Sequence, residues 1–339
     1  VLIDSYLDMA EEGEILISIC IPIYDFNVVD LVHTLLRQAD SCGVAVEILA
    51  FDDRSQRYYE EANRVLRSEP RVRYLALLEN LGRSRIRNRL ADLARGEWLL
   101  FLDCDMTPVS DQYLQHYVAA VRGNMGMDVI CGGVDLGAQP EKLDIRLQWR
   151  VASDTQRVNQ WLRQKDILDV VSTGNFLIRR SLFKQVRFAE ELTGYGQEDR
   201  LFSLNLKEAQ KSILWIANPM RHQNYEPNEE YLRHLDEAIV NQVRVYNALP
   251  GFHDRMCKAS YRLRLSLFWR HTIFAGPVER FYRLLAPTIR RRLERRSGPM
   301  WLLYFYQTGR LLSMLRKRNL GEELKDSLRF IPLQSALEV

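Results

Sequence analysis

Four short apolar segments, each running straight into a polar cluster, constrain the fold of this 339-residue chain more than any other feature. Residues 15–23 end in Pro22-Ile23-Tyr24-Asp25, and residues 44–52 run into Asp52-Asp53-Arg54-Ser55. Residues 72–78 precede Glu79-Asn80-Leu81-Gly82-Arg83, and residues 97–102 run into Asp103-Cys104-Asp105. These segments are largely continuous in hydrophobicity, as expected of strands covered on both faces. Amphipathic helical patterns at 29–39, 57–67 and 83–94 lie between them. Such alternation predicts right-handed crossovers and an α/β fold with a mostly parallel, mixed sheet. Further strands are expected at 128–132, 175–178 and 213–217, with a polar helix within 138–164.

Beyond Asn224 the strand signals stop. Residues 229–247 place Leu232, Leu235, Ile239 and Val243 on one helical stripe. Pro250-Gly251 breaks it, and helical patterns resume at 258–273, 277–293 and 300–318. Charge divides at the same place: residues 1–225 carry 27 basic against 32 acidic side chains, and 226–339 carry 20 against 12. Two domains are therefore expected, a catalytic one at 1–225 and a basic helical region at 226–339. No apolar run approaches the roughly 20 residues of a membrane span. The acidic start lacks a secretory pattern. Five cysteines with no Cys-x-x-Cys pair suggest free thiols in a reducing compartment and no zinc site. A cytoplasmic location follows as the expectation.

In an open parallel sheet, ligands bind beyond the carboxyl ends of the strands, so the four polar clusters should share one rim. A single Asp there is ordinarily a cap or turn residue; four polar ends together are harder to explain that way. Asp103 and Asp105 project to the same side of an extended segment. Two such carboxylates repel each other unless a cation lies near, and oxygen ligands suit Mg²⁺ or Mn²⁺. Gly82 permits close backbone approach before a helix whose N-terminus favours phosphate. Arg83, Arg85, Arg87 and Arg89 form either a solvated helix face or, for one or two of them, a diphosphate contact. Glu198 and Asp199 follow Gly194-Tyr195-Gly196-Gln197 at a helix start. They are either an acidic first turn favoured by the helix dipole or a general base. His222, after the last strand, is either structural or a further ligand for a cation.

Together these residues resemble the family 2 glycosyltransferases of GT-A fold. The motifs run in order: Ser18-x-x-x-Pro22-x-Tyr24, Asp52-Asp53-x-Ser55, Asn80-x-Gly82 with Arg87-Asn88, Gly96-Glu97-Trp98 into Asp103-x-Asp105, Gly174-Asn175 with Arg179-Arg180, Gly194-x-Gly196-x-Glu198-Asp199, and His222. They cover residues 15–225. By the resemblance, Pro22, Tyr24 and Asp53 contact the nucleoside, with Asp53 facing uracil in a UDP-sugar, and Asp52 supports that loop. Gly82 and Arg87 join the nucleotide-sugar site. Asp103 approaches ribose and metal, Asp105 binds the metal, and His222 is a third ligand. Asp199 is the base and Glu198 binds the acceptor. Cys104 replaces the usual small residue between the two aspartates. The Gln-x-x-Arg-Trp motif and multiple membrane helices of the processive synthases are missing.

The resemblance thus implies a metal-dependent (Mn²⁺ or Mg²⁺), inverting, non-processive transfer of a sugar from a nucleotide-diphosphate donor to a hydroxyl of a glycan or lipid-linked acceptor. A nucleotidyltransferase shares the sheet and the metal, but would place a Gly-rich loop with Lys where Tyr24-Asp25-Phe26-Asn27 stands. A non-catalytic nucleotide-sugar-binding scaffold is the other rival. Residues 255–318 hold 16 Lys or Arg against Glu279 and Glu294, with many aromatics. They suit either peripheral contact with the inner face of an anionic membrane or packing on the rest of the protein. Nucleic acid is not expected, for no binding motif accompanies the charge.

Overall fold

The computed structural model describes residues 17–124 and 126–317. Ile15, Leu16, Arg318 and the outer ends of both expected domains lie outside the described residues. In chain order the elements are β1 (Ile17–Ile23), α1 (Val29–Cys42), β2 (Val46–Asp52), α2 (Arg57–Asn63), β3 (Val72–Ala76), α3 (Arg83–Leu93) and β4 (Trp98–Leu102). Next come β5 (Met106–Pro108), α4 (Tyr113–Gly123), β6 (Val129–Cys131), β7 (Val134–Asp135), α5 (Arg146–Gln164), β8 (Asn175–Arg179) and α6 (Arg180–Val186). Then follow α7 (Glu198–Glu208), β9 (Leu214–Trp215), β10 (Met220–His222), α8 (Asn228–Ala248), α9 (His253–Ala259), α10 (Tyr261–Arg270), α11 (Ala275–Arg296) and α12 (Met300–Leu315).

The described residues form two compact units: 17–137, 171–190 and 202–224 make the first, and 138–170, 191–201 and 225–317 the second. The first holds a seven-stranded sheet of order β3-β2-β1-β4-β8-β6-β9. Only β8 runs antiparallel, against β4 and β6. The expected mixed, mostly parallel sheet is therefore present. Its continuous hydrophobicity has the expected cause. Ile17, Ile19, Ile21 and Ile23 pack with Leu31, Val32 and Leu35 of α1 on one face. Cys20, Phe101 and Phe176 pack with Ile86 and Leu90 of α3 on the other.

A second, three-stranded sheet of order β5-β10-β7 was not expected from the sequence. Its strands have two or three residues each and, unlike the equally short β6 and β9, lie in no apolar run. The expected helix at 57–67 splits into α2 and a 3₁₀ turn at Arg64–Ser68. The expected helix at 258–273 likewise divides between α9 and α10. Ser260 is extended there, and its hydroxyl accepts from the Leu263 N–H as the cap of α10.

The second unit is helical. Leu147 of α5, Tyr231 and Leu232 of α8, Tyr282 and Leu293 of α11, and Leu303 and Tyr306 of α12 share one buried cluster. Asn228, at the start of α8, is buried within it. Its amide donates to the carbonyls of Leu143 and Leu293, and its oxygen accepts from the Leu147 N–H.

Candidate nucleotide-sugar site

The strand order places β2 on one side of β1 and β4 on the other. Sheet order reverses there, and a crevice opens beyond the strand ends. The β1–β2 ladder runs to Ile23 and Asp52, whereas the β1–β4 ladder stops at Cys20 and Phe101. Two residues later comes Pro22, which has no N–H to donate. Proline in a central strand is thus tolerated because it lies where the strands part. Tyr24 follows, 57% exposed.

The loops beyond β1, β2 and β3 are tied to one another. Asp52, fully buried, accepts from the Ser55 N–H at 2.7 Å and from the Tyr74 hydroxyl at 3.2 Å. The Ser55 hydroxyl accepts from the Asp25 N–H, and the Asp25 carboxylate accepts from the Gln56 N–H. Asp53 takes both backbone N–H groups of the Gly-containing turn, Leu81 at 2.6 Å and Gly82 at 2.9 Å. Burial pushes the Asp53 carboxyl up; those two bonds oppose the rise, and the neighbouring Asp52 adds to it. Gly82 caps α3 at φ +79°, a left-handed conformation that glycine adopts without a Cβ penalty.

Past β4 the two aspartates separate in role. Asp103 meets Arg87 of α3 at 2.5 Å. That arginine is 2% exposed, and its guanidinium lies 5.7 Å from the Phe188 ring centroid. Of the four alternating arginines, Arg87 is the one turned inward, while Arg85 stays exposed near Glu190. Gly174 backs Asp103 closely: a Cβ there would stand 2.6 Å from the carboxylate. Asp105 instead meets His222 Nε2 at 3.1 Å. Burial raises the Asp105 carboxyl, but the hydrogen bond and charge of His222, with Arg83 adding, outweigh it and leave it lowered.

The unexpected small sheet makes this pair. Antiparallel pairing of β5 with β10 sets Met106 opposite His222, and the Gln223 N–H donates to the Asp105 carbonyl. The turn leading into β10 hangs on Asn175, wholly buried. Its oxygen accepts from the hydroxyls of Tyr113 and Tyr117, and its amide donates to the carbonyls of Gly133 and Asn218. Sequence marks Asn175 only as part of a motif. It gives no role to Tyr113 and Tyr117, four residues apart on α4, and that spacing of two large polar-tipped rings was the available signal.

Among the described residues no three His, Cys, Asp or Glu side chains form a ready-made metal cage. Asp105 and His222 are the side chains that would hold a divalent cation, a carboxylate oxygen and an imidazole nitrogen being suitable donors. Mg²⁺-like ions ordinarily take one or two protein ligands and complete their shell with phosphate and water.

Glu198 and Asp199 belong to the second unit and open α7. The loop before them is fastened to α8: the Tyr195 N–H donates to Glu237, and Asn241 donates to the carbonyls of Thr193 and Gly196. Gly196 has φ +87° and passes so near Ala238 that a Cβ would come within 2.6 Å of its methyl. Burial, then the charge of Glu198, holds the Asp199 carboxyl above the usual range, against Arg200 and local N–H groups.

A family model described as "Glycosyl transferase family 2" matches residues 18–187, half of the chain. None of the curated proteins matches. Among solved structures, S. aureus TarS 1-349 is 16% identical over 91% of each chain, with a TM-score of 0.49. The same fragment in complex with UDP-GlcNAc gives a TM-score of 0.48, and in complex with UDP, 0.46, at the same identity and coverage.

Proposed function

This chain belongs to glycosyl transferase family 2, and from that premise we propose that it transfers a sugar from a nucleotide-diphosphate donor, UDP-linked by preference, to an acceptor hydroxyl in one inverting, cation-dependent step. The observation that carries the proposal is the Asp105–His222 pair standing beside the Asp103–Arg87 pair where β1 and β4 part. Asp105 and His222 would hold a Mn²⁺ or Mg²⁺ ion, with Asp103 beside it toward the ribose. When bound, that ion offsets the charge gathering on the leaving diphosphate. Pro22, Tyr24 and Asp53 enclose the nucleoside, and Asp52 keeps their loop in shape. The turn at Gly82 and the start of α3 receive phosphate oxygens.

A hydroxyl is a poor nucleophile until its proton is removed as the new bond forms. Asp199 takes that role, since a carboxyl with raised affinity for protons is the better base at neutral pH. Glu198 holds the acceptor. Among the described residues no helix could serve as a membrane span of a polymer-extruding synthase, in keeping with addition of one or a few sugars to a glycan or lipid-linked acceptor.

The test is a turnover screen of nucleotide sugars, UDP-sugars first, with acceptor hydroxyls and with Mn²⁺, Mg²⁺ or chelator present. Release of nucleoside diphosphate with a glycosylated product is expected. Asp105→Asn should remove most activity with the fold intact, and chelation should mimic it. Full turnover in excess chelator would end the cation assignment. Release of pyrophosphate with a nucleotidylated product would end the sugar-transfer assignment.

A further inference from the structure

Helix α11 has two unlike faces. Its Tyr282, Ile289 and Leu293 turn into the core shared with α8 and α12. On the opposite side Ile273, just before the helix, is 88% exposed; Phe274, Phe281 and Leu284 are 56%, 61% and 76% exposed. Positions 274, 281, 284, 288, 292 and 295 stack along one side of a 3.6-residue helix. That stripe is apolar over its first half and basic over its second, where Arg291, Arg292, Arg295 and Arg296 are all solvent-accessible.

The acids of α11 do not share this face. Glu279 is buried and binds Arg283 and Arg316, and Glu294 binds Arg290. Arg290 also pairs with Asp236 and belongs to the interior network, not to the exposed set. An apolar patch this exposed marks a contact surface. A second copy docked through the same face with the two helices parallel would set arginine against arginine, which is a repulsive contact. Aromatic and aliphatic side chains flanked by cations match the boundary between acyl chains and anionic headgroups. Among the described residues no helix is long and apolar enough to cross a membrane.

We propose that the exposed face of α11 is a docking surface for an anionic phospholipid membrane, with Phe274, Phe281 and Leu284 entering the headgroup layer and Arg291, Arg292, Arg295 and Arg296 bound to lipid phosphates. The helix lies on the surface instead of spanning it. This assignment does not depend on the sugar-transfer chemistry, so either can fail alone.

The experiment is cosedimentation of the full chain with vesicles of phosphatidylcholine alone or mixed with phosphatidylglycerol, at low and high salt. Binding that requires the anionic lipid and weakens with salt is expected. Each Arg near an anionic surface adds roughly fivefold to binding. Arg291→Glu with Arg292→Glu should therefore weaken binding by more than about tenfold. Phe281→Ser with Leu284→Ser should weaken it comparably. All four positions lie on the surface, so both variants should melt as the parent does; if the apolar pair alone lowers the melting point, the Arg pair decides. No sedimentation with anionic vesicles at low salt, equal binding to neutral ones, or undiminished binding by the Arg pair would overturn the proposal. So would an oligomer in sizing chromatography that Phe281→Ser with Leu284→Ser dissociates, which would assign the face to a second copy.

Discussion

Arg87 reaches Asp103 through a guanidinium almost wholly enclosed, while the carboxylate keeps part of its surface. Removing the cation would leave a charge-assisted bond unmade, at about 1.5–3 kcal/mol. Arg87→Met should lower stability by about 2 kcal/mol in urea unfolding and raise the KM for the donor, since Asp103 loses its hold. Arg85→Met, exposed, should change neither. Sequence left all four alternating arginines open. The choice was nonetheless present in it, because position 87 adjoins the Ile86 and Leu90 positions that face the sheet. Asp199 carries a pH signature. Its carboxyl is raised, and only the deprotonated form accepts a proton. Turnover should fall as pH drops through a pKa above the ordinary carboxylate range and stay high above it. Asp199→Asn should slow transfer by roughly 10²–10⁴-fold, abolish that acidic limb and leave donor binding near the parent's. A lost donor affinity with a fast residual rate would reassign the residue.

At the scale of elements, what was legible depended on apolar runs. The five- to seven-residue strands, the shorter β6 and β9 and the amphipathic helices declared themselves by hydrophobic run and period. The small sheet did not, since its strands of two or three residues lie in no apolar run, and it is this sheet that sets His222 against Asp105. The motif pattern supplied those two residues, but not the strand pairing that joins them. Helix packing offers a separate test. Gly309 of α12 lies against the Tyr282 ring of α11, and a Cβ there would fall 2.1 Å from a ring carbon. Gly309→Ala must push the ring or the helix aside, which costs about 1–3 kcal/mol for overpacking. A lowered melting temperature is expected, with the Asp105 chemistry unchanged at temperatures where the variant is folded. An unaltered melting point would mean the two helices part at no cost.

For the whole molecule, the five cysteines are free thiols, as their spacing suggested. Cys20 and Cys131 are buried, and burial with the two flanking aspartates pushes the Cys104 thiol up to about 12. Reductant should therefore leave the melting temperature unchanged. An aromatic disulfide reagent should label at most Cys42 and Cys257 quickly in the native state, and all five in denaturant. Fast labelling of Cys104, which is half-buried, would contradict a thiol raised between its two aspartates. The pairing of β5 with β10 also has a bearing on how the protein comes into being. It joins residues 106–108 to 220–222, closing a loop of more than a hundred residues. Such closures are slow more than they are costly, since loop entropy grows only logarithmically with length. The stretch matched by the family model ends at residue 187, before His222 is made. A chain emerging from the ribosome would thus carry the loops beyond β1, β2 and β3 well before the proposed cation grip. Under the proposed cation-dependent chemistry, donor activation would wait until the last strand of the small sheet had been added.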